Sequence, residues 1–131
     1  MRLDFCRMLS SGITSLKQIK YLGKFTLFYL EKPDIKISME LYFTDRDQLY
    51  FDGYNIGKSV EAIWGDTDYE YTYILEPEEV DKFYQIFNLA PGDKSGLLFA
   101  LKQRFSGNKA YSLFGEFMNA NHIAYTALSW S

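Results

Sequence analysis

The stretch from Tyr69 to Leu75 constrains this chain more than any other, because it alternates without a break. Tyr69, Tyr71, Tyr73 and Leu75 fall on one side of an extended backbone, and Glu70, Thr72 and Ile74 on the other. Aromatic and β-branched residues at period two are the pattern of a strand with one buried face. Gly65 and Asp66-Thr67-Asp68, just before it, are turn chemistry. The strand ends at Pro77, which has no N–H for a ladder but suits the first turn of a helix. Glu78, Glu79 and Asp81 then sit in that turn, where the helix dipole favours negative charge. Val80, Phe83, Tyr84 and Phe87 follow at helical spacing as one apolar stripe, and Asn88 with Ala90-Pro91-Gly92 stops the helix.

The remainder of the chain repeats these two patterns. Phe25 to Leu30 reads as a short strand, and Lys32-Pro33-Asp34 turns the chain. In Ile37 to Phe43 the odd positions are apolar, while Ser38, Glu40 and Tyr42 face the other way. Thr44 to Asp47 is a hairpin connection, and Gln48 to Tyr54 returns with Leu49 and Phe51 inward. Val60 to Trp64 fits a short strand or one helical turn. A second helix carries Leu97, Leu98, Leu101 and Phe105 on its apolar side, capped by Asp93 or Ser95. A third spans about Ala110 to Ala120 with Leu113, Phe114, Phe117 and Met118 as its stripe, and Ile123 to Trp130 reads as a last strand. Residues 1–24 form a lead-in that holds at most a short helix after Thr14 or Ser15.

Strands, then three helices, then a strand predict a single α+β domain over residues 1–131. The expected architecture is an antiparallel sheet of four to six strands covered on one face by about three helices. The other face, with Glu40, Tyr42, Tyr50 and Glu70, is then expected to be open.

Composition narrows the function classes. Hydrophobic residues make up 47% and aromatics 18% of 131 residues, too much apolar surface for a disordered chain. The net charge of −3 gives no electrostatic case for nucleic acid or an anionic membrane. The charge is unevenly spread: residues 45–81 hold 11 acidic and 2 basic groups, a net of −9, and the flanking segments are each +3. No apolar run approaches the ~20 residues of a membrane helix. Asp4 and Arg7 interrupt the only apolar patch near residue 1, which suits a signal peptide poorly, and the single Cys6 excludes an internal disulfide. A cytoplasmic location is the expectation.

Chemistry-bearing patterns are sparse. Asp66-x-Asp68-x-Glu70 and Asp45-x-Asp47 space carboxylates by two, yet neither run has the sixth-position glycine and twelfth-position glutamate of an EF-hand loop. One Cys and one His far apart give no zinc ligand pair. His122, at a helix-to-strand junction, suits a structural role near the helix C-terminus. Cys6 has only Arg2 and Arg7 nearby as activating groups. Glu40, Asp52 and Glu70 could line one sheet face, as a carboxylate pair for glycoside chemistry must, but their spacing fixes no separation. The glycines form no phosphate loop, and Lys94, Lys102, Arg104 and Lys109 make only a modest basic edge. No metal, cofactor or catalytic set is expected.

Leu49-x-x-Asp52-Gly53, Ile56-Gly57 and Val60-Glu61-x-x-Trp64-Gly65-Asp66-x-Asp68-Tyr69-Glu70-Tyr71 resemble a family of small uncharacterised bacterial proteins with a "WGDxDYEY" strand. Leu97-Leu98-x-x-Leu101 through Phe105 and Gly107, and the ending Asn121, Ile123, Tyr125, Ser129 and Trp130, extend the likeness over about residues 37–131. The resemblance implies no activity, cofactor or catalytic residue. By analogy it is similar to the small acidic immunity partners of bacterial toxins.

The acidic block with its interleaved aromatics therefore carries the functional expectation. Asp52, Trp64, Asp66, Asp68, Tyr69, Glu70 and Tyr71 are the candidate binding residues, for a basic protein partner of a non-catalytic interaction module. Tyr and Trp are favoured interface anchors, and surrounding carboxylates select and speed a basic partner. The alternative is a small-ligand or carbohydrate site lined by Tyr69, Tyr71 and Tyr73 between sheet and helices, which requires some of those rings to be reachable from solvent.

Overall fold

A computed structural model describes residues 23–57 and 68–130. The lead-in up to residue 22, the Val60–Trp64 segment and the turn before Asp68 lie outside the described residues. Five strands are present: β1 (Phe25–Lys32), β2 (Ile35–Phe43), β3 (Leu49–Gly57), β4 (Asp68–Leu75) and β5 (Thr126–Trp130). Three helices lie between β4 and β5: α1 (Pro77–Ile86), α2 (Lys94–Arg104) and α3 (Ala110–Ala120). The strands form one antiparallel sheet in the order β1-β2-β3-β4-β5. The helices pack against it, giving a single α+β domain.

Each alternation read from the sequence survives as a face. Leu41, Leu49, Phe51 and Leu75 are fully buried on the helix side, and Ile37, Met39, Tyr71 and Tyr73 are nearly so. In β1 the register slips between Thr26 and Phe28, so Leu27 is an extra residue that turns inward and is buried. The helices contribute Val80, Phe83 and Tyr84 from α1, Leu97, Leu98 and Leu101 from α2, and Phe114 and Met118 from α3.

Local chemistry sets the helix ends. Pro77 occupies the first turn of α1 with Glu78 and Glu79. Asp93 caps α2 by accepting from the Gly96 N–H at 3.0 Å, which resolves the choice between Asp93 and Ser95. Two helices end alike: Asn88 and His122 each take φ 58°, so that Leu89 N–H reaches Tyr84 O at 2.7 Å and Ile123 N–H reaches Met118 O at 2.9 Å. This turn consumes Ile123, buried beside Met118, and the last strand accordingly starts at Thr126 rather than at Ile123. Lys82 then donates to the His122 carbonyl at 3.0 Å, and Glu79 accepts from the Ala124 N–H at 2.8 Å, fastening the α3–β5 connection to α1.

Two glycines let tyrosines close on the backbone. Gly53 lies opposite Tyr71, and a Cβ there would overlap the Tyr71 ring at 1.8 Å. A Cβ on Gly115 of α3 would meet the Tyr73 hydroxyl at 2.2 Å. Tyr73 cannot easily retreat, because it stacks on Tyr111 with centroids 4.0 Å apart. Gly53→Ala is expected to lower unfolding free energy in urea by roughly 1–3 kcal/mol, as overpacking does. Gly107→Ala, where nothing lies within 4 Å, should change it little.

The buried phenols make stability sensitive to alkali. Burial, reinforced by Tyr69 at Tyr71, by Asp81 at Tyr84 and by Tyr73 at Tyr111, raises all three well above the ordinary tyrosine value. In the unfolded chain the same groups release their protons near about pH 10. Their stabilisation is therefore complete below that pH and is lost as pH rises above it. Urea midpoints should hold up to about pH 9.5 and fall steeply beyond pH 10, with part of the tyrosine absorbance change arriving only on unfolding.

Candidate functional site

With all three helices on one face, the even-numbered residues of β2, β3 and β4 are left on the other. The register aligns them in rows across the strands. One row runs Thr26, Glu40, Asp52, Thr72 and Leu128; the next runs Tyr29, Ser38, Tyr54, Glu70 and Trp130. Tyr42, Tyr50, Ile74 and Thr126 make a third. Sheet twist turns these rows into a concavity of about 500 Å³, with Glu40, Asp52 and Glu70 among its walls. Tyr42, Tyr50, Tyr54 and Trp130 supply its aromatic surface. Among the described residues no Lys, Arg or His lines it.

The three carboxylates differ in what they touch. Asp52 is held: its two oxygens accept from the Tyr42 hydroxyl at 2.7 Å and the Thr72 hydroxyl at 3.0 Å. Glu40, directly across the strands from Asp52, meets Lys24 at 3.8 Å, and the same ammonium sits 4.8 Å from the centre of the Tyr42 ring. The Glu70 carboxylate makes no hydrogen bond or ion pair among the described residues. Tyr42 and Tyr50 lie with centroids 5.4 Å apart beside these acids. Burial first, then the bond to Asp52, pushes the Tyr42 phenol far above its ordinary value, so it remains a neutral donor at any physiological pH. Tyr54 is raised for similar reasons, by burial and by the nearby charges of Asp68 and Glu70.

Of the residues expected at the site, the fold brings Asp52, Asp68 and Glu70 to this face. Tyr71 is a correction. It is 5% exposed, points to the helix side and donates to Asn55 Oδ1 at 2.7 Å, so it shares no surface with Asp52 and Glu70. Tyr69 is on the same side as Tyr71, half-buried, with ring centroids 5.5 Å apart. Strand alternation alone separates the two sets, since neighbours in sequence face opposite ways. Trp64 and Asp66 lie outside the described residues. Tyr73 is buried too, ringed by Phe51, Tyr111, Phe114 and Tyr125. A ligand site lined by Tyr71 and Tyr73 between sheet and helices is therefore filled by the core.

Thr72, Leu128 and Trp130 also line the concavity, although none is among the candidate binding residues read from the sequence. The signal for Leu128 and Trp130 was their alternation with Ala127 and Ser129, once β5 is known to lie beside β4. The described helices include none long and apolar enough to cross a membrane. Among the described residues no three of His, Cys, Asp and Glu gather as a metal site. No protein-family model, curated protein or solved structure matches the chain.

The role of Asp52 can be separated from that of its neighbours. Asp52→Ala leaves the buried Thr72 hydroxyl and the Tyr42 hydroxyl without their acceptor, at a cost of about 1–3 kcal/mol in urea unfolding. The Tyr42 phenol should also titrate at lower pH in that variant. Asp52→Asn retains one carbonyl oxygen and should lose less.

Proposed function

We propose that this chain is a non-catalytic protein-interaction module that docks a basic partner on the open face of its sheet. One observation carries the reading: a concave face combines three carboxylates with tyrosine and tryptophan rings and, among the described residues, has no basic residue in its walls. Lys or Arg side chains of a partner find there both an opposite charge and an aromatic surface for a cation. Lys24, seated on the Tyr42 ring beside Glu40, is an example of that geometry within the chain itself. Asp52 is committed to Tyr42 and Thr72, which leaves Glu70, and Glu40 beyond its contact with Lys24, as the acids that meet the partner. By analogy with small acidic immunity proteins, the proposed role is masking, in which the acidic face covers a basic functional surface of a toxin.

A second reading is favoured by the volume of the concavity, about 500 Å³, which lies in the range of small-molecule sites. On that reading the occupant is a small organic cation or a sugar stacked on the open-face tyrosines.

Both readings are separated by a pull-down at low and high salt with two baits, the natural chain and a Glu40→Gln/Glu70→Gln variant. A basic protein retained at low salt by the natural chain, and lost from the variant or at high salt, is the expected result. Each exposed ion pair contributes roughly 0.2–1 kcal/mol, so the double variant should weaken binding about 2- to 30-fold. Identical retention by both baits would sink the docking face. No retained protein, with a thermal shift on adding arginine or a sugar, favours the small-ligand reading.

A further inference from the structure

We infer that two copies of this chain pair through their β5 strands, antiparallel about a twofold axis at Leu128, to make one continuous ten-strand sheet. The inference is independent of what the open face binds. A sheet edge offers a row of unpaired N–H and C=O groups, and what fits such a row is another strand.

The two edges of this sheet differ. β1 is protected in the usual ways: it has a bulge after Thr26, and it carries Lys24, Glu31 and Lys32 on or beside its exposed positions. The edge β5, Thr126-Ala127-Leu128-Ser129-Trp130, has no charge, proline or bulge, and all five residues are exposed. It pairs with β4 on one side and, among the described residues, with nothing on the other. A single open edge among the described residues gives a closed dimer, whereas two would give a filament.

The sequence of β5 suits a second copy of itself. Antiparallel pairing sets Leu128 against Leu128, Thr126 against Trp130 and Ala127 against Ser129, with no like charges opposed. Thr126, Leu128 and Trp130 share the open face, so each Trp130 is diagonal to the other copy's Leu128, within reach of an aromatic ring. Those side chains are 44% and 49% exposed, two of only six large hydrophobic residues so exposed among those described. The helix side of the seam holds only Ala127 and Ser129, small enough for the helices of both copies to approach. A five-residue seam is short beside a standard interface of about 1,600 Å², so the dimer is concentration-dependent.

Sedimentation equilibrium of the full chain over a range of concentrations tests this. The expected result is a monomer–dimer equilibrium that survives about 0.5 M salt, where the Debye length of about 4 Å screens exposed charges. Leu128→Lys, which opposes two ammonium groups on the axis, should remain folded by circular dichroism and be monomeric. In a Cys6→Ser background, Leu128→Cys should cross-link to itself under mild oxidation, and Phe99→Cys, on exposed α2 surface, should not. A monomer at every concentration, a dimer unchanged by Leu128→Lys, a dimer dissolved by salt, or equal cross-linking at both cysteines would each overturn the assignment.

Discussion

Phe114 is the contact on which the layers of this fold depend. Rings from four other elements close on it: Phe51 of β3 at 5.3 Å, Tyr73 of β4 at 5.9 Å, Phe83 of α1 at 5.7 Å, and Phe105 at the end of α2 at 5.3 Å. Phe83 and Phe114 stack with nearly parallel rings, and Phe87 and Phe117 repeat the arrangement one turn outward. Offset and edge contacts of this kind add to plain burial, and they fix orientation as well as proximity. A helix that brings Phe114 into that nest must lie on the side of the sheet where Phe51 and Tyr73 point. All three helices are thereby drawn to one face, and the other is left to whatever the even positions carry.

Tyrosine is used in opposite ways on the two faces. Inside, Tyr71, Tyr73 and Tyr111 act as large rings whose hydroxyls need single partners, such as Asn55 for Tyr71. Outside, Tyr42 and Tyr54 act through their hydroxyls, directed at Asp52 and Asp68. The same residue type at adjoining positions of a strand pair therefore serves core packing or surface chemistry according to parity alone. This is why the block of acids and aromatics between residues 45 and 71 does not act as one surface.

The fold was legible because its signals are local. Alternation from Ile37 to Phe43 and from Tyr69 to Leu75, the proline at 77 and the stripes around Phe83 and Phe114 each name an element without reference to the others. The errors fall where the deciding contact is distant or is a backbone conformation. Ile123 reads as a strand residue because it is apolar and β-branched, yet it completes the turn that ends α3, with His122 in a left-handed conformation that favours glycine. Asp52 and Glu70 were recognisable from charge as candidates, and the register puts both on the open face. Leu128 and Trp130 were not recognisable, since their membership depends on β5 returning next to β4 across three intervening helices. Composition along the chain groups Tyr71 with Asp52 and Glu70, whereas the alternation of the same residues separates it from them.

The open face is built differently from a sheet surface that only has to be wet. Opposite charges across strands stabilise a sheet and like charges oppose it, so a lysine facing Asp52 is the simple stabilising choice. Here Glu40 faces Asp52, and Glu70 lies in the next row. The repulsion is relieved by hydroxyls, from Tyr42 and Thr72, rather than by a cation in the wall. A phenol raised by its burial stays neutral, so it satisfies Asp52 without cancelling the charge. The only ammonium near these acids, among the described residues, enters from Lys24 at the edge and leaves Glu70 without a counter-ion. Departures from the most stable local choice tend to collect where a surface has another task. A face that keeps its negative potential by hydroxyl bonding, and frames it with aromatic rings, has the features that the proposed docking of a cationic partner requires and that an ordinary solvated sheet surface lacks.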